Sequence, residues 1–284
     1  MAQNVRTIKN RIGNIEDIAQ ITRAMNAIAM TKVTRMKKRL ALVRPYLAEL
    51  DAYIAELAGR IPPDVEPHPL LTANGEGAVA VTVLNADRGL CGRYKGDLNR
   101  KAEELLQEAG ADARLIAGGE KARVHFARRG IEPLLVYART YDQPTAETAR
   151  RMANELIDAY LRREVGRVVL VSMRFASDLS QRLVVRPYLP LEVAAKRNDA
   201  LAEPSVAEML DASIRICLWG RLYAALIETK ASEDAIRRQA MRSATDNAED
   251  LITTLTRAYN KARQQAITRE IADIIGGAEA LRTG

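Results

Sequence analysis

Aromatic residues and cysteines are both scarce in this 284-residue chain. Aromatic residues make up 4% of it, with one Trp and two Phe, although hydrophobic residues as a whole reach 48%. Because globular enzyme cores usually draw much of their buried area from aromatic side chains, this composition is more typical of a protein with much helix. The two cysteines, Cys91 and Cys217, lie far apart in the sequence. A disulfide framework is therefore not expected, and a reducing compartment is indicated.

Long apolar runs are also missing. Residues 1–18 are polar and charged, unlike a signal peptide, and no stretch approaches the ~18 uninterrupted apolar residues of a membrane span. We therefore expect a soluble chain, or one that is peripheral to a membrane at most. The net charge of +7 favours an acidic partner, which could be nucleic acid, an anionic membrane surface or an acidic protein.

Motifs for catalysis and nucleotide binding are absent from the sequence. Neither G-x-G-x-x-G after the first predicted strand nor G-x-x-x-x-G-K-[ST] occurs, and His68 and His125 have no metal-ligand spacing to a cysteine. The glycines of the loop at residues 87–92 fit either a phosphate site or a tight turn. Cys91 in that loop lacks a histidine partner and is expected to be a turn or core thiol. We predict a chain that is not an enzyme itself, with no catalytic, cofactor-binding or metal-binding residue.

Apolar residues near the N-terminus recur at alternating steps of three and four, the heptad pattern of a coiled coil. The pattern continues for about seven heptads, and a helix of this length would measure roughly 80 Å. Pro45 is expected to kink this helix or to remove a hydrogen bond. These positions, the N-terminal seam, are Val5, Ile8, Ile12, Ile15, Ala19, Thr22, Asn26, Ala29, Val33, Met36, Leu40, Val43, Leu47, Leu50, Ile54 and Leu57.

Where the N-terminal seam becomes small or polar, larger apolar residues form a second stripe at Ile18, Ile21, Met25 and Ile28. Both stripes could be buried in one coiled coil. Alternatively, the small seam residues let two helices approach closely while the second stripe faces a third body.

A basic run follows the second stripe along the sequence. Such a run is usually a solvated helix face, but beside an apolar stripe it also fits an acidic protein surface. Nucleic acid is a weaker candidate, since no aromatic residues are interleaved for base stacking. The cations of this run, with no acid among them, are Lys32, Arg35, Lys37, Lys38 and Arg39.

A second heptad pattern occupies the C-terminal part of the chain, where Ser205 is expected to cap a helix with Glu208 three residues on. Two long heptad segments at opposite ends of one chain most simply pair with each other as an antiparallel coiled coil. The predicted C-terminal seam consists of Met241, Ala244, Ala248, Leu251, Leu255, Ala258 and Ala262, and apolar positions continue at Ile267, Ile271, Ile274, Ala278 and Leu281.

The middle of the chain alternates β-rich apolar runs with helical stretches, which is typical of a mostly parallel sheet covered on both faces. The fifth run follows the fourth after a short polar turn and is expected to be its antiparallel partner. The predicted strands lie at residues 78–84, 113–116, 134–137, 168–173 and 183–188. The fold class is therefore α/β plus a long antiparallel coiled coil. Its parts are an N-terminal helix at 1–60, a Pro- and Gly-containing linker at 61–77, a Rossmann-like domain at 78–195 and a C-terminal helix at 204–284.

Three segments of the chain resemble the gamma subunit of F-type ATP synthases, the central rotating shaft. They are residues 21–25 (ITRAM), residues 87–92 (DRGLCG) and residues 244–281, in which YNKARQ at 259–264 is the most specific part. The segments are ordered and spaced as in that family, and the architecture matches along essentially the whole chain.

The resemblance implies a mechanism and a set of partners. The coiled coil would stand inside a ring of alternating alpha and beta subunits, and the α/β domain would lie near the membrane with the epsilon subunit and the c ring. Proton flow would turn the c ring and the shaft together, and the asymmetric shaft would change the conformations of the catalytic sites on the beta subunits. The chain would contact the membrane only through partner subunits. With no targeting segment, we expect a bacterial protein, peripheral on the cytoplasmic face of the cell membrane.

The resemblance also implies contact residues for the N-terminal helix. Arg23 and Met25 are expected to lie near an acidic loop of the beta subunits. That loop would also give the basic run a partner, so Lys32 and Arg35 are expected to take part in the same coupling.

Further contacts are implied for the C-terminal helix. The apolar tail at residues 271–281 would occupy the sleeve at the top of the ring, and Glu203 would face the c ring. Polar contacts with a beta-subunit loop are expected from a C-terminal contact segment formed by Arg263, Gln264, Thr268 and Glu270.

Two other functions fit parts of the sequence. A nucleotide-dependent enzyme would explain the sheet, but its motifs are missing and the terminal helices would have no purpose. A basic coiled-coil protein that binds DNA would explain the charge but not the C-terminal motif. Tight nucleotide binding by the isolated chain would favour the enzyme, and a steep salt dependence of duplex-DNA affinity would favour the DNA-binding protein.

Overall fold

A computed structural model describes residues 2–61, 65–74, 77–194 and 205–283 of the chain. In chain order, its α-helices and strands are α1 (Ala2–Ala58), β1 (Val79–Leu84), α2 (Tyr94–Ala109), β2 (Ala113–Gly118), α3 (Glu120–Ala127), β3 (Leu135–Tyr137), α4 (Ala146–Leu161), β4 (Arg167–Phe175), β5 (Gln181–Leu189) and α5 (Val206–Thr283). The chain divides into two compact units: unit 1 is Met1–Ile28 with Arg238–Gly284, and unit 2 is Ala29–Arg237.

The strands of unit 2 form one sheet in the order β3-β2-β1-β4-β5. Strand β1 pairs in parallel with β2 and β4, and β2 pairs in parallel with β3, whereas β4 and β5 are antiparallel. The β-branched residues of β1 favour an extended strand, and its central position leaves it buried on both faces. The predicted mostly parallel sheet with an antiparallel last strand is therefore confirmed.

Alternating residues of the strands fill two hydrophobic cores on opposite faces of the sheet. On one face, Val81 and Val171 pack in a cluster with Phe126 of α3 and with residues of α2. On the other face, Leu84 and Leu170 belong to a cluster that includes residues of α4 and also of α1 and α5. The two long helices thus supply part of the covering layer of the sheet within unit 2.

Within unit 2, α1 and α5 run in opposite directions. Arg44 Nη2 lies 2.6 Å from Glu228 Oε1, and further along α1 the Asp51 carboxylate lies 2.9 Å from Arg221 Nη2. Helix α1 is unbroken at Pro45. The N-terminal seam residues in this unit are all buried or half-buried, as the heptad pattern predicts.

Unit 1 contains the other parts of α1 and α5. Ala19 and Thr22 of α1 are buried, as are Thr245 and Ala248 of α5. Thr22 lies against Thr245, with 2.7 Å between the hydroxyl oxygens, so the two helices are packed on each other closely enough for short side chains to meet. The predicted fold class, long terminal helices that pair around an inserted sheet, is confirmed.

The predicted C-terminal seam is wrong at two positions. Leu251 is 44% exposed and Ala258 is also exposed, while the neighbouring Ile252 and Tyr259 are half-buried. The prediction took the apolar Ala244 as the second seam position. The polar Thr245 is buried instead, and one residue further along than predicted the seam also contains Ile252 and Tyr259, whereas Ala248 and Leu255 are seam positions as predicted. The observed seam consists of Met241, Thr245, Ala248, Ile252, Leu255 and Tyr259.

The segment between α1 and β1 contains a short 3-10 helix at Pro69–Leu71, whose Leu70 is fully buried. The boundaries at 61–77 and at 195–204 remain predictions. Glu203 lies outside the described residues. Among the helices that the structure describes, none is both long and apolar enough to cross a membrane.

Candidate functional site

The second stripe forms an exposed apolar surface on unit 1. Ile21 and Ile28 are each 58% exposed and Ile18 is 47% exposed, while Met25 is half-buried. The seam of the same helix is covered instead. The interpretation in which both stripes are buried in one coiled coil is therefore wrong within this unit. A row of large apolar side chains in solvent indicates a surface for another protein.

Arg23 lies on another side of α1 and forms an ion pair within unit 1. Its Nη2 is 2.6 Å from Glu249 Oε1, and both side chains are more than half exposed. An exposed pair of this kind contributes little to stability. Its guanidinium remains accessible, so it can exchange Glu249 for a carboxylate of a partner.

The C-terminal contact segment is exposed along α5 in unit 1. Arg263, Gln264, Thr268 and Glu270 are all exposed. The Thr268 hydroxyl donates a hydrogen bond to the backbone carbonyl of Gln264, 2.9 Å away. Large apolar residues accompany these polar groups on the surface: Ile267, Ile271, Ile274 and Ile275 are 44–66% exposed. In unit 1 this segment therefore presents polar and apolar groups outward.

The basic run lies in unit 2, where the structure pairs some of its cations within the chain. Lys37 Nζ is 3.2 Å from Asp178 Oδ1, and Arg39 donates to the carbonyl of Pro144 at 2.9 Å. Lys32 is half-buried, and Arg35 and Lys38 are exposed. The run is thus neither fully solvated nor fully available, since part of its charge is used to hold α1 against loops of unit 2.

The loop at residues 87–92 has a structural role that its sequence only partly indicated. The Asp87 carboxylate accepts hydrogen bonds from the backbone N–H groups of Glu120, Arg139 and Tyr141, at 2.9, 2.8 and 3.0 Å. It thereby ties the loop after β1 to the loops after β2 and β3. The N–H of Glu120 at the start of α3 is a group that a bound phosphate would require, and a carboxylate already occupies it. Of the two alternatives, the geometry favours the turn.

Cys91 of the same loop is a core thiol, as expected. Its side chain is buried, and burial, together with the nearby Glu233 carboxylate, raises the pKa of the thiol. Cys217 is also buried, and burial raises its pKa to about 12. Both thiols are therefore protonated at neutral pH and unreactive.

A buried ionic cluster lies on α5 and is not among the features predicted from the sequence. Its four charged residues are 7% exposed or less: Lys230, Glu233, Asp234 and Arg237. Lys230 Nζ lies 3.2 Å from Glu233 Oε1 and 3.4 Å from Asp234 Oδ2, and Arg237 pairs with both carboxylates. Burial raises the pKa of Glu233, although the two cations oppose that effect.

The sequence did contain a signal for this cluster. Positions 230, 233, 234 and 237 follow the spacing of three and four that places side chains on one face of a helix. Charged residues at that spacing are usually assigned to a solvated face, and in this chain the face is covered by loops of the sheet. No group of three or more His, Cys, Asp or Glu side chains suited to a metal ion occurs among the described residues.

Comparison with known proteins identifies the same family over nearly the whole chain. Residues 4–281 match the family model described as ATP synthase. The chain is 37% identical to the ATP synthase gamma chain of Symbiobacterium thermophilum over 291 residues, covering 99% of this chain and 100% of that one. It is 37% identical to the ATP synthase gamma chain of Mycolicibacterium smegmatis over 306 residues, covering 99% of both.

Solved structures with the same fold come from mitochondrial ATP synthases. A chain in the Euglena gracilis mitochondrial ATP synthase structure of OSCP, F1 and c ring has a TM-score of 0.70 at 17% identity, covering 100% of this chain and 96% of that one. A chain from the central stalk and c ring of the Tetrahymena thermophila enzyme has a TM-score of 0.59 at 19% identity, covering 79% of this chain and 99% of that one.

Proposed function

This chain belongs to the ATP synthase gamma-chain family, and from that membership we propose that it is the central rotating shaft of a proton-translocating F-type ATP synthase. It is thus a subunit of an ATP synthase. Its role is to couple ion flow through the membrane c ring to conformational changes at the catalytic sites on the beta subunits. The observation that carries this proposal is the match of the family model from residue 4 to residue 281.

The partners follow from the same family. The solved structures with the same fold are of assemblies that contain F1, the c ring and the central stalk. For this chain we propose the alpha and beta subunits of the catalytic hexamer, the epsilon subunit and the c ring. The chain would be peripheral on the cytoplasmic face of a bacterial membrane, held there by its partner subunits.

The surface of unit 1 supports a shaft whose contacts differ around its circumference. One side of α1 presents Ile18, Ile21 and Ile28 to solvent, whereas another carries the Arg23–Glu249 ion pair. When such a surface turns inside a ring, each surrounding subunit meets apolar and charged groups in succession. Because differential contacts are what shift a conformational equilibrium, each beta subunit would be driven through different states without any catalytic residue on the shaft.

Contact residues are proposed on the same basis. Arg23 and Met25 would face an acidic loop of the beta subunits, and Lys32 and Arg35 would take part in coupling. Polar contacts with a beta-subunit loop would come from the C-terminal contact segment, Arg263, Gln264, Thr268 and Glu270. The exposure of that segment supports its assignment to a partner surface. Glu203 is proposed for the c-ring side.

Reconstitution tests this function directly. The chain would be mixed with the alpha and beta subunits of its own organism, and assembly and ATPase activity would be measured. We expect a stable complex with one copy of this chain per three alpha–beta pairs and activity that depends on the chain. A chain that stayed apart, with the other subunits indifferent to it, would refute the shaft assignment.

A further inference from the structure

Lys230 is the centre of the buried ionic cluster. Its side chain is 1% exposed, on a stretch of α5 where Ile227, Ala231 and Ala235 belong to a buried apolar cluster. Lysine is one of the residues least often buried, because the ammonium group loses its hydration. A lysine retained at such a position must therefore be held by specific partners. Its ammonium group is restricted to the place where those partners lie.

One of those partners belongs to a different part of unit 2. Asp142, in the loop between β3 and α4, places Oδ1 3.6 Å from Lys230 Nζ and Oδ2 2.7 Å from Arg88 Nη2. Arg88 itself lies in the loop between β1 and α2. A chain of charges therefore runs from α5 through Lys230 and Asp142 to two loops at the carboxyl ends of the parallel strands.

Arg237 makes a second connection from α5 to the same loops. Besides its pairs with Glu233 and Asp234, it donates hydrogen bonds to the carbonyl oxygen of Gly89 at 3.3 and 3.4 Å. The buried Tyr94 hydroxyl adds a third connection, donating to the carbonyl of Thr229 at 3.2 Å. The contacts cover two turns of α5 on the one face that meets the sheet loops.

Polar contacts of this kind hold a helix differently from apolar packing. Apolar burial is non-directional, so a helix can turn within an apolar groove while most of the buried area is kept. Charge-assisted hydrogen bonds are short and directional. Glu233 and Asp234 belong to α5 and move with Lys230, so a rotation of α5 against the sheet loops would break the Lys230–Asp142 pair and the Arg237–Gly89 hydrogen bonds. Loss of such partners by buried cations is unfavourable.

We propose that Lys230 is a positioning residue for rotary coupling, which fixes the rotational setting of α5 against the sheet loops through Asp142, while Glu233 and Asp234 of α5 itself hold the ammonium group in place. Torque applied to the α/β part of unit 2 would then turn α5 with it. This inference rests on the proposed shaft function. It assigns the buried ionic cluster to the transmission of torque within the chain, and not to contact with another subunit.

The test uses the double variant Lys230→Met/Asp234→Asn in the complete ATP synthase, reconstituted in vesicles. This pair of substitutions keeps the charges balanced, because Arg237 retains Glu233 and Arg88 retains Asp142. Asp234→Asn alone is the matched control, since it leaves the Lys230–Asp142 and Lys230–Glu233 pairs in place. ATP hydrolysis and the maximal proton gradient at steady state are measured on the same vesicles.

We expect the double variant to hydrolyse ATP at close to the wild-type rate while its maximal gradient falls several-fold. The opposing gradient is the load on the shaft, so slippage should increase as the gradient builds up. Asp234→Asn should reach a gradient close to that of the wild type. If the double variant does not assemble, Lys230→Gln, which keeps a polar donor without the charge, is put through the same comparison.

A purely structural role for the cluster has a different signature. The unfolding temperature of the isolated double variant would fall while the gradient per ATP in assembled complexes stayed at the wild-type level. That result would overturn the inference, as would equal losses in the double variant and in Asp234→Asn. A failure of the shaft function itself would be recognised separately, because the wild-type chain would then neither assemble nor support pumping.

Discussion

Thr22 and Thr245 hydrogen-bond to each other through hydroxyl oxygens 2.7 Å apart, with both side chains buried between the long helices of unit 1. Each hydroxyl also lies within reach of a carbonyl of its own helix, Thr22 with Ala19 at 3.0 Å and Thr245 with Met241 at 2.9 Å. Since each hydroxyl has one proton, one threonine donates to the other and the second donates to its own helix. Two polar seam positions are thereby satisfied without water.

Thr245→Val should weaken unit 1 because it leaves Thr22 without its partner across the helices. We expect the free energy of unfolding to fall by about 1 kcal/mol, the usual effect of a lost hydrogen bond at a buried site. The double variant Thr22→Val/Thr245→Val should cost less than the sum of the two single variants, because either substitution alone already removes the hydrogen bond that the two residues share. Urea denaturation of the four chains measures the coupling, and strictly additive losses would contradict the shared bond.

Gly119→Ala should be among the most destabilising small changes in unit 2. Gly119 precedes α3 with φ +91°, and an added Cβ would overlap the carbonyl oxygen of Asn85. Backbone strain and this overlap together should cost roughly 3 kcal/mol or more. Gly110→Ala is a matched control, with φ +72° but no atom near the added Cβ. Its cost should be about 1 kcal/mol, and equal losses of unfolding temperature in both variants would show that the overlap is relieved.

Asp142→Asn should change the dependence of stability on pH. Burial raises the pKa of Asp142, but Lys230, Arg88 and Lys32 together lower it below its ordinary value. A carboxyl group with a lowered folded-state pKa stabilises the fold above its unfolded-state pKa of about 3.9 and loses that contribution as the pH falls through the folded-state value. The difference in unfolding free energy between wild type and variant should therefore be present at neutral pH and decrease as the pH falls below about 3.9. A difference that persisted in acid would exclude an ionic origin.

Gln264→Leu tests the C-terminal contact segment. If Gln264 makes a polar contact with a beta-subunit loop, its removal should slow the ATP hydrolysis that is coupled to rotation. Gln265→Leu provides the control, because the neighbouring side chain is also exposed but belongs to another side of α5. Hydrolysis rates of the two reconstituted variants are compared, and equal rates would remove Gln264 from the proposed contacts.

The sheet and the long helices were predictable because each is specified by a local repeat. The apolar runs of β1 and β4 have the length and β-branched composition of buried strands, and the structure places both at the centre of the sheet. The C-terminal seam was less predictable at Thr245. Its burial depends on Thr22, more than two hundred residues away in the sequence, so no local pattern could reveal it.

The exposed second stripe was partly predictable from the sequence, whereas the buried ionic cluster was not. Exposure of the second stripe could be anticipated as one of two alternatives, since heptad spacing already placed it outside the seam. Lys230 and Asp234 could not be recognised as buried, because isolated helical spacing does not show whether a charged face meets water or loops of the sheet. Asp142, the partner of Lys230, is brought to it only by the tertiary fold.

One face of the sheet is covered by α4 together with residues of α1 and α5, among them Leu218 and Leu222. The strands end at Leu189, so these leucines are synthesised after the last strand. A growing chain that has just left the ribosome with all five strands would still expose apolar groups on this face. The hydrophobic core on this face of the sheet is complete only after the first part of α5 has been synthesised. Until then the exposed apolar side chains can bind chaperones or cause aggregation.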